Sequence, residues 1–174
     1  MLKNTFTTKK VVLMGLLVGI SAALAPLVIM ITPHQKFLSL YFIPLAVGAV
    51  ILGPVAALLM GFAADTINFL LPPVAGPYFP GYALSLMLSC LIFALWQYNK
   101  PLRLWRIVCA QLCNIVLINF GLNHIWRVIL LGPASATFFT STRLINNAIQ
   151  FPLIVIAVYA LSKASLALMK RHKI

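Results

Sequence analysis

The sequence almost lacks acidic residues: Asp65 is the only carboxylate side chain in 174 residues, against thirteen lysines and arginines. Charged residues make up 8% of the chain, whereas soluble domains carry about a quarter. Hydrophobic residues make up 63%, and the mean hydropathy is +1.05. This balance excludes an ordinary soluble domain and indicates one compact body with the lipid bilayer as its main solvent.

Several kinds of functional motif are also missing. The three cysteines, Cys90, Cys109 and Cys113, lie in apolar stretches, which favours packing over disulfides. No cysteine and histidine residues have metal-ligand spacing, so we expect no metal and no cofactor. No G-x-x-x-x-G-K-[ST] pattern is present to bind ATP, and no Ser/His or paired-carboxylate arrangement supports an enzyme. A nucleic-acid partner would need a solvated basic domain, and none is apparent.

Apolar runs that approach the length of a bilayer span, about 20 residues, recur six times. The sequence therefore predicts an all-α membrane protein, a single domain over residues 1–174. The predicted helices cover approximately residues 11–31, 37–52, 55–71, 79–97, 104–131 and 143–169. The first run follows three lysines, as in a signal peptide, but similar apolar runs follow it, so we interpret it as a retained helix.

The basic residues predict the orientation of these six spans. Six spans place both termini on one side of the membrane, and ten basic residues fall on that side against three on the other. The three are Lys36, Arg127 and Arg143. Because cytoplasmic loops carry the excess of lysine and arginine, we expect cytoplasmic termini.

The single acid lies inside an apolar run, in the outer half of the third predicted helix. Asp65 is six residues from the outer end of that helix, or about 9 Å. An acid near the centre of a membrane helix costs about 2.5–3.5 kcal/mol on insertion scales. It is therefore expected to face a cavity or a partner group, and Asn68 lies one turn further along the same face.

Polar and aromatic residues of other helices collect in the same outer half. Asn119, Asn123 and Arg127 are spaced at i, i+4 and i+8, which places them on one helix face bordered by Trp126. The other members of the group are Tyr78, Phe79, Tyr82, Arg143, Asn146, Asn147 and Gln150. Together they predict an outward-opening pocket with aromatic walls and excess positive charge, suited to a small, flat, anionic ligand with donors for Asp65.

Each of these residues also has a simpler explanation. Buried amides often only bridge helices, at about 0.6 kcal/mol each, and Arg127 and Arg143 can extend to the membrane interface. Asp65 can be a structural ion-pair partner for one of these arginines. A membrane scaffold or assembly factor built in this way would show no ligand-dependent change in tryptophan fluorescence or thermal stability.

Small residues recur every four positions in the first predicted helix, at Gly15, Gly19 and Ala23. This spacing lets another helix approach closely. The neighbouring helix can belong to this bundle or to a partner protein.

Three blocks of sequence resemble one known family. They are Tyr41–Ser85, Leu117–Pro133 and Thr142–Leu153, which carry the motifs F-I-P-L, G-P, G-x-x-x-D, Y-F-P-G, N-x-G-L-N-x-x-W and R-L-I. In combination they are similar to the folate-type (FolT) substrate-binding subunits of energy-coupling factor (ECF) transporters.

The resemblance implies a six-helix subunit in the plasma membrane of a bacterium that binds a vitamin from outside. It implies a transmembrane coupling subunit and two cytosolic ATPases as partners, with Gly15 and Gly19 in the places of a small-residue motif that packs on the coupling subunit. For a folate ligand, Asp65 would accept hydrogen bonds from the pterin, Tyr78 and Trp126 would stack on its rings, and Arg143 would bind a glutamate carboxylate.

The sequence departs from the family pattern at three positions. Asn146 stands where a lysine is usual, Arg127 where an apolar residue is usual, and Asn68 where glycine is frequent. A sibling subunit for riboflavin or pantothenate is therefore the nearest alternative. A neutral flavin would leave the two arginines unused, and pantothenate would leave the aromatic rings and Asp65 unused.

Overall fold

The computed structural model describes residues 7–26, 28–32, 35–71, 79–131 and 141–171. These residues form six helical runs and one short β-hairpin. In chain order the elements are α1 (Thr8–Leu24), β1 (Val28–Thr32), β2 (Gln35–Ser39), α2 (Phe42–Leu52), α3 (Pro54–Leu70), α4 (Pro80–Gln97), α5 (Leu104–Asn114), a π-helix (Ile115–Leu122), α6 (Asn123–Leu131) and α7 (Ser141–Arg171). Since α5, the π-helix and α6 are continuous, the described residues contain six helical runs, as the sequence predicts.

The hairpin corrects the bounds of the first two predicted spans. Residues predicted to be helical up to position 31, and again from position 37, form the antiparallel strands β1 and β2. Four of the five β1 residues are β-branched, a type that favours strands. Pro26 has no backbone N–H group to continue the helical hydrogen bonds, and α1 ends at Leu24.

Helix α2 forms the centre of the bundle. Ten of its eleven residues are buried, which explains why its sequence is apolar on every side. At 1.5 Å per residue it is about 16 Å long, roughly half of a bilayer core. It therefore acts as an internal core around which the longer helices pack.

The turn from α2 into α3 is built by the Gly-Pro pair. Gly53 has φ of +95°, which other residues rarely adopt, and Pro54 occupies the first turn of α3. The ring of Tyr98 lies so close that a Cβ atom at Gly53 would be 2.8 Å from it. Both the backbone angle and the packing therefore require glycine.

Helices α3 and α4 pack closely because small residues line their contact. Ala57, Gly61 and Ala64 are buried on one face of α3, and a Cβ atom at Gly61 would lie 2.8 Å from the Cα atom of Met87 in α4. Asp65 is adjacent to Ala64 and lies one helical turn after Gly61, at the edge of this packed face. The packing of α3 against α4 therefore sets the direction of its side chain.

Within the described residues, three helical runs are long and apolar enough to cross a membrane: Pro80–Gln97, Leu104–Leu130 and Asn147–Leu168. Helices α2 and α3 are apolar but shorter. Many large hydrophobic side chains on these runs face outward, including Ile129 at 61% and Ile156 at 65% exposure. A surface of this kind is suited to lipid rather than to water.

Candidate functional site

An open cavity is lined by residues of α2, α3, α4, α5, the π-helix, α6 and α7, and by Tyr41 before α2. It contains about 670 Å³ of empty space, a figure that includes the solvent at its open mouth. Its described lining combines one carboxylate, amides, hydroxyls, aromatic rings and aliphatic groups. These residues are Tyr41, Phe42, Asp65, Tyr82, Ser85, Leu86, Ser89, Gln111, Asn114, Ile118, Asn119, Asn123, Gln150 and Ile154.

Asp65 lines this cavity and is partly buried. Tyr41 lies close enough to interact electrostatically with its carboxylate. No described cation forms an ion pair with this carboxylate. Within the described part of the chain, the acid therefore faces an open hollow without a protein counter-charge.

The π-helix turns several polar residues of one long run toward the cavity. Asn114 ends α5, Ile118 and Asn119 lie in the π-helix, and Asn123 begins α6. All four line the cavity. A π-helix adds one residue per hydrogen-bonded ring and is frequent at functional sites, and here it broadens the face that the run presents to the cavity.

Three asparagines form a hydrogen-bonded chain along one wall. The Nδ2 atom of Asn123 donates to Oδ1 of Asn119 at 3.4 Å, and Nδ2 of Asn119 donates to Oδ1 of Asn147 at 3.2 Å. The second bond joins the π-helix to α7. Asn119 and Asn123, which the sequence places at i and i+4 on one helix face, are thus in contact. The amide of Asn119 also bridges two helices, which is the simpler explanation considered for buried amides.

Trp126 packs at the edge of the cavity rather than along its described lining. Its indole N–H donates a 3.0 Å hydrogen bond to Oγ of Ser85, which does line the cavity. Its ring meets that of Phe79 edge-on, with centroids 5.5 Å apart and planes at 61°. A Cβ atom at Gly81 would lie 2.7 Å from the indole, so glycine is needed for this contact.

The other predicted site residues are placed as follows. Asn68 lies one turn beyond Asp65, with its Oδ1 atom buried and without a hydrogen-bond partner in the described residues. Tyr78 lies outside the described residues. Arg127 belongs to α6 and Arg143 to the first turn of α7, and their side chains lie outside the described part of the structure.

Several cavity residues were missed by sequence reasoning. Gln111 is 3% and Asn114 is 7% exposed, and each has an amide oxygen that is buried without a described partner. Their i, i+3 spacing within an apolar run is a helical signal that would have found them. The other missed residues are Tyr41, Phe42, Ser85, Leu86, Ser89, Ile118 and Ile154. Most of these are ordinary apolar or hydroxyl residues that carry no such signal.

The small residues of α1 lie on its outer surface. Gly15, Gly19 and Ala23 are exposed, and no atom lies within 4 Å of a Cβ built at either glycine. The opposite side of α1 is buried through Val18, Ser21 and Ala22. The small-residue strip therefore does not serve packing within the described bundle.

Comparison with known proteins gives concordant matches. The family model described as "ECF transporter, substrate-specific component" matches residues 9–167. The "Folate transporter FolT" of Clostridium novyi (strain NT) is 36% identical over 118 residues, which cover 68% of this chain and 67% of that protein. The "Folate transporter FolT" of Leuconostoc mesenteroides is 29% identical over 153 residues, covering 84% and 80%.

A solved structure, "Crystal structure of FolT bound with folic acid", is 35% identical to this chain. It superposes with a TM-score of 0.79 and covers 91% of this chain and 94% of the FolT chain. The family model, which matches residues 9–167, includes all three motif blocks. The resemblance found in the sequence is confirmed, and the chain belongs to the family of substrate-specific components of ECF transporters.

Proposed function

We propose that this chain captures folate, or a close pterin relative, outside the membrane and delivers it through an ATPase-driven module. The observation that carries the proposal is the partly buried carboxylate of Asp65 in a polar cavity, in a chain that resembles a folic acid-bound FolT over 91% of its length. The chain itself is not an enzyme in this proposal, because ATP hydrolysis belongs to partner subunits.

The chemistry of a pterin matches that of Asp65. One edge of the pterin ring carries an amino group and a ring N–H side by side, and a carboxylate accepts both. Hydrogen bonds to a charged group contribute about 1.5–3 kcal/mol each. The ligand thereby offsets the cost of keeping the only acid of the chain inside the membrane.

The remaining lining residues suit the rest of a folate molecule. The rings of Tyr41, Phe42 and Tyr82 border the cavity and offer faces for a flat heterocycle. We therefore propose that the pterin stacks on one or more of these three rings. The stacking roles of Tyr78 and Trp126 stay predictions from the sequence. The amides of the cavity supply donors and acceptors for ring nitrogen and oxygen atoms.

The glutamate tail of folate requires positive charge near the cavity mouth. Arg127 and Arg143 stand on α6 and α7, the helices that also carry Asn123 and Asn147. A guanidinium binds a carboxylate through two parallel hydrogen bonds. We therefore propose these arginines as partners of the tail, together with Asn68, Asn119, Asn123 and Asn147 as polar residues of the site.

The exposed face of α1 is the proposed contact for a transmembrane coupling subunit. Gly15, Gly19 and Ala23 leave open space there, and small residues let membrane helices approach closely. We propose that two cytosolic ATPases complete the assembly. The excess of basic residues on the side of the termini supports cytoplasmic termini in a bacterial plasma membrane.

Calorimetric titration of the purified protein in detergent tests the proposed function. We expect nanomolar binding, about −12 kcal/mol, to folate or 5-formyltetrahydrofolate, and no binding to riboflavin or pantothenate. Nanomolar binding of riboflavin or pantothenate instead would assign a sibling specificity. Absence of binding to all four compounds would favour a scaffold protein.

A further inference from the structure

A hydrogen bond joins α1 to the wall of the cavity. The hydroxyl of Ser21 in α1 donates to the backbone carbonyl oxygen of Tyr41 at 2.8 Å. Ser21 is fully buried, at 0% exposure. The two residues are 20 positions apart, and the β1–β2 hairpin lies between them. The bond therefore joins the last turns of α1, before the hairpin, to the turn that follows the hairpin.

Tyr41 lies at the turn between the hairpin and α2, where it also packs against the hydrophobic core. An isolated two-stranded hairpin is at best marginally stable, and Tyr41 is the residue between the hairpin and α2 that caps the helix. Its own side chain makes no capping hydrogen bond to α2. Yet Tyr41 lines the cavity beside Asp65, so a shift of this turn changes the wall that a ligand meets.

The same helix presents its opposite side to a partner. Ser21 lies on the buried side of α1, whereas Gly19 and Ala23 are exposed. Contact between α1 and the core is close: a Cβ atom at Gly48 would lie 2.8 Å from Leu17 of α1 and 2.7 Å from Met60 of α3. A displacement of α1 is therefore passed to α2 and its first turn rather than absorbed by loose packing.

We propose that Ser21 is a positioning residue that holds Tyr41 against the ligand and connects the exposed face of α1 to the cavity. Docking of a membrane helix on that face and occupancy of the cavity are then energetically coupled. Such coupling is reciprocal, so the ligand changes partner affinity by the factor by which the partner changes ligand affinity. The proposal rests on the proposed function, since it assumes a folate-like ligand in this cavity.

The first test compares Ser21→Ala with a matched control, Ser162→Ala. Ser162 is also a fully buried serine of a membrane helix, but its Oγ atom has no hydrogen-bond partner in the described residues. Calorimetric titration with folate should show binding about threefold to tenfold weaker for Ser21→Ala, the range expected for one lost hydrogen bond. Ser162→Ala should bind folate as the wild type does.

A merely structural role for Ser21 predicts a different pattern. In that case Ser21→Ala lowers the thermal unfolding temperature and leaves the folate Kd unchanged, which would overturn the proposal. If Ser21→Ala does not yield folded protein, Ser21→Cys takes its place, because a thiol has similar size but is a weak donor. Unchanged folate affinity in Ser21→Cys would overturn the proposal as well.

A double-mutant cycle tests whether the effect passes through Tyr41. Tyr41→Leu removes the ring from the cavity wall, so adding Ser21→Ala should then have little further effect on folate affinity. Equal weakening in both backgrounds would show that Ser21 acts by another route and would overturn the proposal. Absence of folate binding to the wild type would instead refute the proposed function, so the two failures are distinguishable.

Discussion

Asn119 and Asn147 join the π-helix to α7 through a 3.2 Å hydrogen bond between their side-chain amides. The bond lies in the wall of the candidate site, and Asn123 extends it through its own bond to Asn119. One amide thus serves both the packing of two membrane helices and the lining of the cavity. The bridging and binding explanations of the sequence pattern are therefore not exclusive.

The energetic link between Asn119 and Asn147 is measurable by a double-mutant cycle. We expect the two leucine substitutions to show a coupling free energy of about 0.6 kcal/mol, the average for hydrogen bonds between membrane helices. Unfolding in mixed detergent micelles gives the four required free energies. A coupling energy of zero would contradict the bond.

Replacement of Asp65 tests the central residue of the site. Asp65→Asn removes the charge but keeps the shape, so we expect folate affinity to fall by about 100-fold or more through two weakened charged hydrogen bonds. The protein should remain folded, since no described ion pair is lost. Calorimetry measures the affinity, and thermal unfolding checks the fold.

The matched control for Asp65 is Thr66→Val. The hydroxyl of Thr66 donates to the backbone oxygen of Phe62 within α3 itself. This variant should bind folate normally. Equal affinity of Asp65→Asn and wild type would remove the role assigned to the carboxylate.

Gly81→Ala should disturb the aromatic contact at the edge of the cavity. An added Cβ atom would lie 2.7 Å from the indole of Trp126 and would also press on Phe79. We expect a loss of about 1–3 kcal/mol in the free energy of unfolding, as for other overpacked sites. Gly121→Ala is the control, because its nearest contact would be an ordinary 3.6 Å. Equal stability of the two variants would contradict the packing described.

Gly19→Leu should separate assembly from ligand binding. No atom lies within 4 Å of a Cβ at this position, so the larger side chain does not perturb the subunit but blocks close approach of a second helix. We expect folate affinity to stay unchanged while co-purification with the coupling subunit is lost. The control is Ile20→Leu, because Ile20 is also exposed on α1 and the two side chains have nearly equal volume. Normal assembly of Gly19→Leu would place the interface elsewhere.

The sequence by itself determined that lipid is the main solvent, that the chain forms six helical runs, and which five of the fourteen described lining residues carry the site's polar and aromatic signal. Hydropathy and length identify helical runs because a membrane requires internally hydrogen-bonded backbone. The rarity of acids singled out Asp65, and helical spacing placed Asn119 beside Asn123, as the structure does. The angle of the turn at Gly53 was left to the structure, although few residues other than glycine adopt it.

Only the tertiary structure decided which side chains meet across helices. Contacts between distant parts of the chain bury α2 on all sides. They also form the hairpin between α1 and α2 and the hydrogen bond from Ser21 to Tyr41. The π-helix also has no sequence signature here, yet it contributes Ile118 and Asn119 to the same cavity. Local propensity specifies single elements, whereas a binding site is set by the packing that brings several elements together.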